Sequence, residues 1–261
     1  MFVHPEFDPI ALQLGPLAIR WYGLMYLLGF LAFWILGRYR AARTHCFINP
    51  QEVGDFLFYA VLGVVVGGRV GSVLFYNFDY FLQHPMYLFE IWRGGMSFHG
   101  GLLGVIVTIA IYQSNKGWGF LRLADFIAPL VPLGLGFGRI GNFINGELWG
   151  RTTDVPWAVV FPQVDALARH PSQLYQALLE GIVLFIVLWT YSAKPRPVGA
   201  VAALFMLLYG VFRFLLETVR EPDQHLGYVA LDFFTMGQIL SIPMIIIGAV
   251  MFSFAQRGIF K

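Results

Sequence analysis

Apolar residues fall in long blocks along this chain, separated by short polar connections. A block of about 20 mostly apolar residues is the length of a transmembrane helix. The blocks predict about seven such helices, at 19–37, 56–75, 97–112, 123–138, 174–191, 198–217 and 233–252. The second is interrupted by Arg69, and the third and fourth are short for a bilayer crossing. Those two borrow flanking residues or lie where the protein interior admits water. The expected fold is an all-α polytopic membrane protein, with residues 1–261 forming a single membrane-embedded domain.

The connections give an orientation. Alternate ones carry Arg38, Arg40 and Arg43, then Lys116 and Arg122, then Lys194 and Arg196, with Arg257 and Lys261 in the tail. Short basic connections stay cytoplasmic. The opposite set carries Arg93, Arg139, Arg151, Arg169 and Arg220, accompanied by Glu147, Asp154, Asp165, Glu221, Asp223 and Asp232. The bias places the N-terminus outside and the C-terminus in the cytoplasm, in agreement with an odd number of spans. The run before Arg20 has two acids and no base, unlike the basic start of a cleaved signal, so the first block is expected to persist as a helix. The connection 147–171 is long. With Pro156, Trp157 and Phe161 it is expected to fold against the outer, periplasmic surface as a cap.

Composition excludes several classes. Charged residues make up 12% of the chain, apolar residues 58%, and the mean hydropathy is +0.68. A water-facing surface needs about twice that charge, so one greasy anchor on a soluble domain is ruled out. The single cysteine, Cys46, forms no internal disulfide, and no zinc spacing occurs. The inner basic tracts suit anionic lipid headgroups, whereas no module or long basic stripe points to nucleic acid. Many of the 29 glycines lie inside spans: Gly63, Gly67 and Gly71 are four apart, as are Gly100 and Gly104, and Gly134 and Gly138. Such spacing lets membrane helices approach closely.

Ionisable groups near the ends of apolar blocks are the candidate chemistry. A charge at the bilayer centre costs about 2.5–3.5 kcal/mol on insertion scales, so these groups face a bundle interior, a cavity or the interface. MSFHGGLLG sets His99 between glycine pairs at the start of the third span. Its imidazole can accept a proton near neutrality. GRIGNFINGELWGR places Arg139 and Asn142 on one helical face, with Asn145 and Glu147 where the chain leaves the helix. That string is either a helix-end anchor with an Asn-Gly turn or a network that fixes a guanidinium for bidentate oxyanion binding. In RFLLETVREPD, Arg213 and Glu217 are four apart, with Arg220 three further on. This is a helix-supporting ion pair or, with Arg139, the second half of a phosphate clamp. Arg69, expected to point towards acids or amides of the bundle, and Tyr22 and Tyr76 complete the candidate set.

Two arginines and a histidine among apolar walls suit an amphiphile with a phosphodiester head, for which phospholipid is the abundant candidate. The chain has no HExxH, GxSxG or phosphate-binding loop of the Walker type. No metal site and no cofactor are expected. A transporter or scramblase could use the same polar cavity, and a structural membrane subunit would need no base.

With these motifs assembled, the whole chain closely resembles the bacterial prolipoprotein diacylglyceryl transferases. The resemblance rests on MSFHGGLLG, GRIGNFINGELWGR, RHPSQLYQALLEG and RFLLETVREPD. It implies transfer of the sn-1,2-diacylglyceryl group of phosphatidylglycerol to the lipobox cysteine thiol of a prolipoprotein signal peptide, with release of glycerol phosphate. It implies an enzyme of the bacterial inner membrane, among membrane lipids, with its active site towards the periplasmic face; a monomer is expected. It further implies His99, Arg139 and Arg213 as the catalytic set. Tyr22, Arg69, Tyr76, Asn142, Asn145, Glu147 and Glu217 would bind or orient substrate, the acids and Asn142 by orienting the arginines.

Overall fold

The computed structural model describes residues 2–15, 17–43, 46–222, 228–230 and 234–260. Asp223, Asp232 and Lys261, which enter the loop charges above, lie outside these. The chain divides into two compact units. One comprises Met1–Ile35 with Ala124–Lys261, and the other Leu36–Leu123.

The larger unit opens with strands β1 (Phe2–Val3), β2 (Ile10–Leu14) and β3 (Leu17–Arg20), the last two forming an antiparallel pair. Helix α1 (Trp21–Ala41) follows and runs on into the smaller unit.

The smaller unit is built on α2 (Pro50–Tyr76), the short α3 (Phe78–Gln83), two 3₁₀ turns at Pro85–Phe89 and Ile91–Arg93, and α4 (Phe98–Lys116). Asn49 starts α2 because its side chain accepts from the Gln51 and Glu52 amides, while Glu52 returns a bond to the Asn49 amide at 3.0 Å. Pro50 at the first position loses nothing, since that amide would have no partner inside the helix. Gly63, Gly67 and Gly71 meet Gly100 and Gly104 here, whereas of the pair in the later helix Gly134 lies near Gly29 and a Cβ at Gly138 would meet nothing within 4 Å. A Cβ at Gly104 would stand 1.9 Å from the Gly63 carbonyl oxygen, a distance no side chain tolerates. α2 and α4 therefore touch backbone to backbone, as the small-residue spacing predicts.

The larger unit continues with α5 (Phe120–Ile127), which begins in the smaller unit, a 3₁₀ turn and α6 (Val131–Ile144). Beyond them come β4 (Val159–Val160), β5 (Ala168–Arg169), α7 (Ser172–Gln176), a π-helical segment Ala177–Val183, and α8 (Leu184–Tyr191). Last are α9 (Ala200–Leu216), β6 (Tyr228–Ala230), β7 (Phe234–Thr235) and α10 (Met236–Gln256). Asp125 of α5 caps α9 by accepting from the Gly199 and Ala202 amides at 2.6 and 2.8 Å. Leu184, Leu188, Val201 and Ala128 form the buried apolar core between these helices.

Among the described residues, five helices are long and apolar enough to cross a bilayer: Trp21–Ala41, Pro50–Tyr76, Phe120–Ile144, Ser172–Tyr191 and Met236–Gln256. Each overlaps one of the expected blocks, though the first and last begin two and three residues later than expected. The remaining two blocks are also helical, as α4 and α9, but α9 has 17 residues and α4 ends in the polar run Gln113, Ser114, Asn115 and Lys116. At 1.5 Å per residue α9 is about 26 Å long, short of a hydrocarbon core of about 30 Å.

The segment between α6 and α7 is held by small strands that the apolar blocks did not predict. β1 pairs in parallel with β4, and β4 antiparallel with β5, so the start of the chain is sewn to residues 159–160. Isolated bridges join Gly150 to Arg220 and Thr152 to Arg169. His4 is buried beneath this sheet, stacked on Phe161, with its Nε2 at 2.7 Å from the Phe143 carbonyl.

Candidate active site

In the larger unit, α6 carries Arg139 and Asn142 on one face. The chain then leaves the helix through Asn145 and Gly146, whose φ of 65° lies in the left-handed region. Glu147 accepts from Asn142 Nδ2 at 3.3 Å and from Asn145 Nδ2 at 3.1 Å. The sequence predicts Glu147 to orient an arginine; its side-chain hydrogen bonds among the described residues come from these two amides instead. Leu148 next adopts φ 58°, a strained conformation for a side-chain-bearing residue that costs about 1–3 kcal/mol. The turn is clamped from α7: Gln173 Nε2 donates to the Glu147 carbonyl at 2.5 Å and Ser172 Oγ to the Leu148 carbonyl at 2.8 Å.

Arg139 finds its acid elsewhere. Its Nε lies 3.4 Å from Glu180 Oε2, in the π-helical segment, and Glu180 is fully buried while Arg139 keeps 20% exposure. The sequence reading passed over Glu180. The signal was present, since it is the only charged residue in the fifth apolar block and an intramembrane acid calls for a partner. Two tyrosines extend the cluster. The Tyr209 hydroxyl interacts electrostatically with Glu180, Arg213 and Arg139, and that of Tyr26 with Tyr22 and Arg139. The Tyr22 ring packs so closely on α6 that a Cβ at Gly141 would reach it at 2.9 Å.

Arg213 and Glu217 form the second pair, Nη2 to Oε1 at 2.6 Å. The same oxygen receives Arg220 Nη1 at 3.0 Å, and Thr235 Oγ1 donates to Glu217 Oε2 at 2.7 Å. Arg213 Nη1 is buried without a hydrogen-bond partner among the described residues. Both guanidinium groups are thus fixed in direction by a buried carboxylate. Removing either partner would leave an uncompensated buried charge, a loss of about 3–5 kcal/mol. Tyr22, Arg139, Asn142, Asn145, Glu147, Arg213 and Glu217 all belong to this unit.

The other three candidates lie in the smaller unit. Arg69 is buried, and its partners are backbone carbonyls rather than acids or amides. Nε donates to Leu88 at 3.1 Å, Nη1 to Gly94 and Gly95, and Nη2 to Tyr87, whose ring lies under the guanidinium at 4.3 Å. Arg69 therefore ties the 3₁₀ turns to α2. His99 is exposed in the first turn of α4, behind the Ser97 cap, with the Phe98 ring edge-on at 5.6 Å. Tyr76 ends α2 and is 70% exposed.

The long connection carries its own electrostatics. The Arg169 guanidinium, bonded to Asp165 at 2.6 Å, holds that carboxyl below the usual carboxylate range. Burial pushes the neighbouring His170 imidazole down. Arg151 donates to the Arg220 carbonyl at 3.0 Å and ties this connection to the segment after α9.

Residues 9–254 match the family model of prolipoprotein diacylglyceryl transferase. The chain belongs to this family. The transferase is 58% identical to a phosphatidylglycerol–prolipoprotein diacylglyceryl transferase of Solidesulfovibrio magneticus, over 95% of this chain and 94% of that one. It is 57% identical to the protein of that name in Nitrosospira multiformis, over 98% and 89% of the two chains. Identity to the Bordetella parapertussis protein of the same name is 57%, over 98% of each.

Proposed function

We propose that the chain transfers the diacylglyceryl group of phosphatidylglycerol to a prolipoprotein cysteine, and that Arg139 and Arg213 hold the reacting phosphodiester. The observation that carries the clamp is the pair of arginines, each anchored by a buried acid, with Arg213 Nη1 a buried donor that has no partner among the described residues. A cysteine thiol, with an ordinary pKa near 8.5, must lose its proton to become a strong nucleophile. The thiolate sulfur attacks the glycerol carbon that bears the phosphodiester oxygen. A carbon–sulfur bond forms, that carbon–oxygen bond breaks, and glycerol phosphate leaves with the electron pair. Preorganised guanidinium donors stabilise the charge gathering on the phosphate.

Glu180 and Glu217 act as positioning residues for Arg139 and Arg213. Glu147, with Asn142 and Asn145, shapes the turn beside them, and Tyr22 packs against the same helix. His99 belongs to the other unit, and its assignment as the thiol base rests on imidazole chemistry and on the resemblance of MSFHGGLLG. Arg69 is assigned to holding the turns that precede His99, and Tyr76 to substrate contact. All seven apolar helices cross the membrane, with the N-terminus outside, the C-terminus in the cytoplasm and the site towards the periplasm. Residues 147–171 cap it, and the working form is a monomer.

Arg139→Lys tests the clamp. Lysine keeps a charge for Glu180 but lacks the planar fork that grips two oxygens at once. The expected loss in kcat/KM is about 100- to 1,000-fold, the range for deleting one transition-state donor, with insertion and melting temperature unchanged. Transfer at the wild-type rate would remove Arg139 from the clamp.

A further inference from the structure

Gln173, Gln176 and Glu180 recur at spacings of three and four, and all three are fully buried. They form one polar stripe along α7 and the π-helical segment. This helix runs antiparallel to α6. At one end of the stripe Gln173 bonds the carbonyl of Glu147, just beyond the C-terminus of α6, and at the other Glu180 pairs with Arg139. Gly136 and Gly181 meet a turn further along, where a Cβ on Gly136 would lie 3.1 Å from the Gly181 Cα. Gln176 lies midway along the stripe between these contacts and is fully buried, and Asn142 of α6 is buried too. Its neighbours are only partly satisfied: Gln173 Oε1 and both Glu180 oxygens lack a hydrogen-bond partner among the described residues, but Gln173 bonds through Nε2 and Glu180 keeps its ion pair with Arg139. Gln176 alone of the three has neither kind of contact, its Oε1 and Nε2 both standing without a hydrogen-bond partner among the described residues. An orphaned buried carboxamide is costly and calls for a partner: an ordered water, an ion or a bound ligand.

We propose that Gln176 binds the terminal glycerol of the phosphatidylglycerol headgroup. This rests on the reading of Arg139 as a ligand of the phosphodiester, because the glycerol is joined to that phosphate. The chemistry matches: a carboxamide donates and accepts without charge, and so do the two vicinal hydroxyls. An ethanolamine ammonium only donates, and would leave the Nε2 hydrogens of Gln176 facing a cation. Gln176 is therefore a binding and selectivity residue, and takes no part in breaking the carbon–oxygen bond.

The test is Gln176→Leu in the purified full chain, with phosphatidylglycerol and a lipobox peptide as substrates and melting temperature measured alongside. Replacing an unsatisfied amide with an apolar group of similar shape is close to neutral or stabilising, so the fold should melt no lower. Loss of two hydrogen bonds to the headgroup should raise KM for phosphatidylglycerol by about tenfold or more, with a smaller change in kcat. The preference for phosphatidylglycerol over phosphatidylethanolamine should narrow. An unchanged KM would overturn the proposal, and so would a lower melting temperature, which would give the amide a partner within the protein. Absence of transfer by the wild-type chain would instead strike at the function itself, so the two failures are distinguishable.

Discussion

His99 combines exposure, a place in the first turn of α4 and an imidazole, the side chain that most often serves as a general base. If it takes the thiol proton, His99→Gln keeps polarity and approximate size but removes the base. The transfer rate at neutral pH should fall by about 100- to 10,000-fold, the range for positioned general bases. The defect should shrink as pH rises towards the thiol's own value near 8.5, where the peptide is already thiolate. A pH-independent defect accompanied by weaker phosphatidylglycerol binding would reassign His99 to headgroup contact. At this scale the sequence displayed Arg139, Asn142, Glu147, Arg213 and Glu217 openly, because polar groups stand out at the ends of apolar blocks. Their partners were less legible. Arg213 and Glu217 share one helix, so spacing alone paired them, whereas Arg139 meets Glu180 from another helix. Gln176 lies within RHPSQLYQALLEG, but its lack of a hydrogen-bond partner among the described residues is a property of packing.

The apolar blocks located the long helices because a bilayer demands continuous apolar length. They could not show that the block near 174–191 contains a π-helical segment, which depends on how Glu180 and Gly181 meet α6. Nor could they reveal β1, β4 and β5. Strands of two residues have no periodicity, and β1 joins β4 across more than 150 residues of chain. The orientation of the helices rests on the basic connections and is tested by single-cysteine labelling in a chain lacking Cys46. Probes at 38–49 should be protected from an impermeant reagent added outside, and probes at 150–169 should react. Equal labelling of both would end the arrangement with the N-terminus outside and the C-terminus inside.

Taken whole, the molecule joins apolar helices suited to a membrane to a buried cluster of arginines, acids, amides and tyrosines in the larger unit. A transporter or scramblase could be built from similar materials, and would release the lipid unaltered. A transferase breaks one carbon–oxygen bond and keeps both acyl chains on the peptide. The decisive measurement uses purified chain, a lipobox peptide and phosphatidylglycerol carrying one label in the acyl chains and another in the headgroup. The acyl label should move to the peptide cysteine, one diacylglyceryl group per thiol, while the headgroup label appears in equal amount as soluble glycerol phosphate. Headgroup label arriving on the peptide, or both labels remaining in intact lipid, would contradict it.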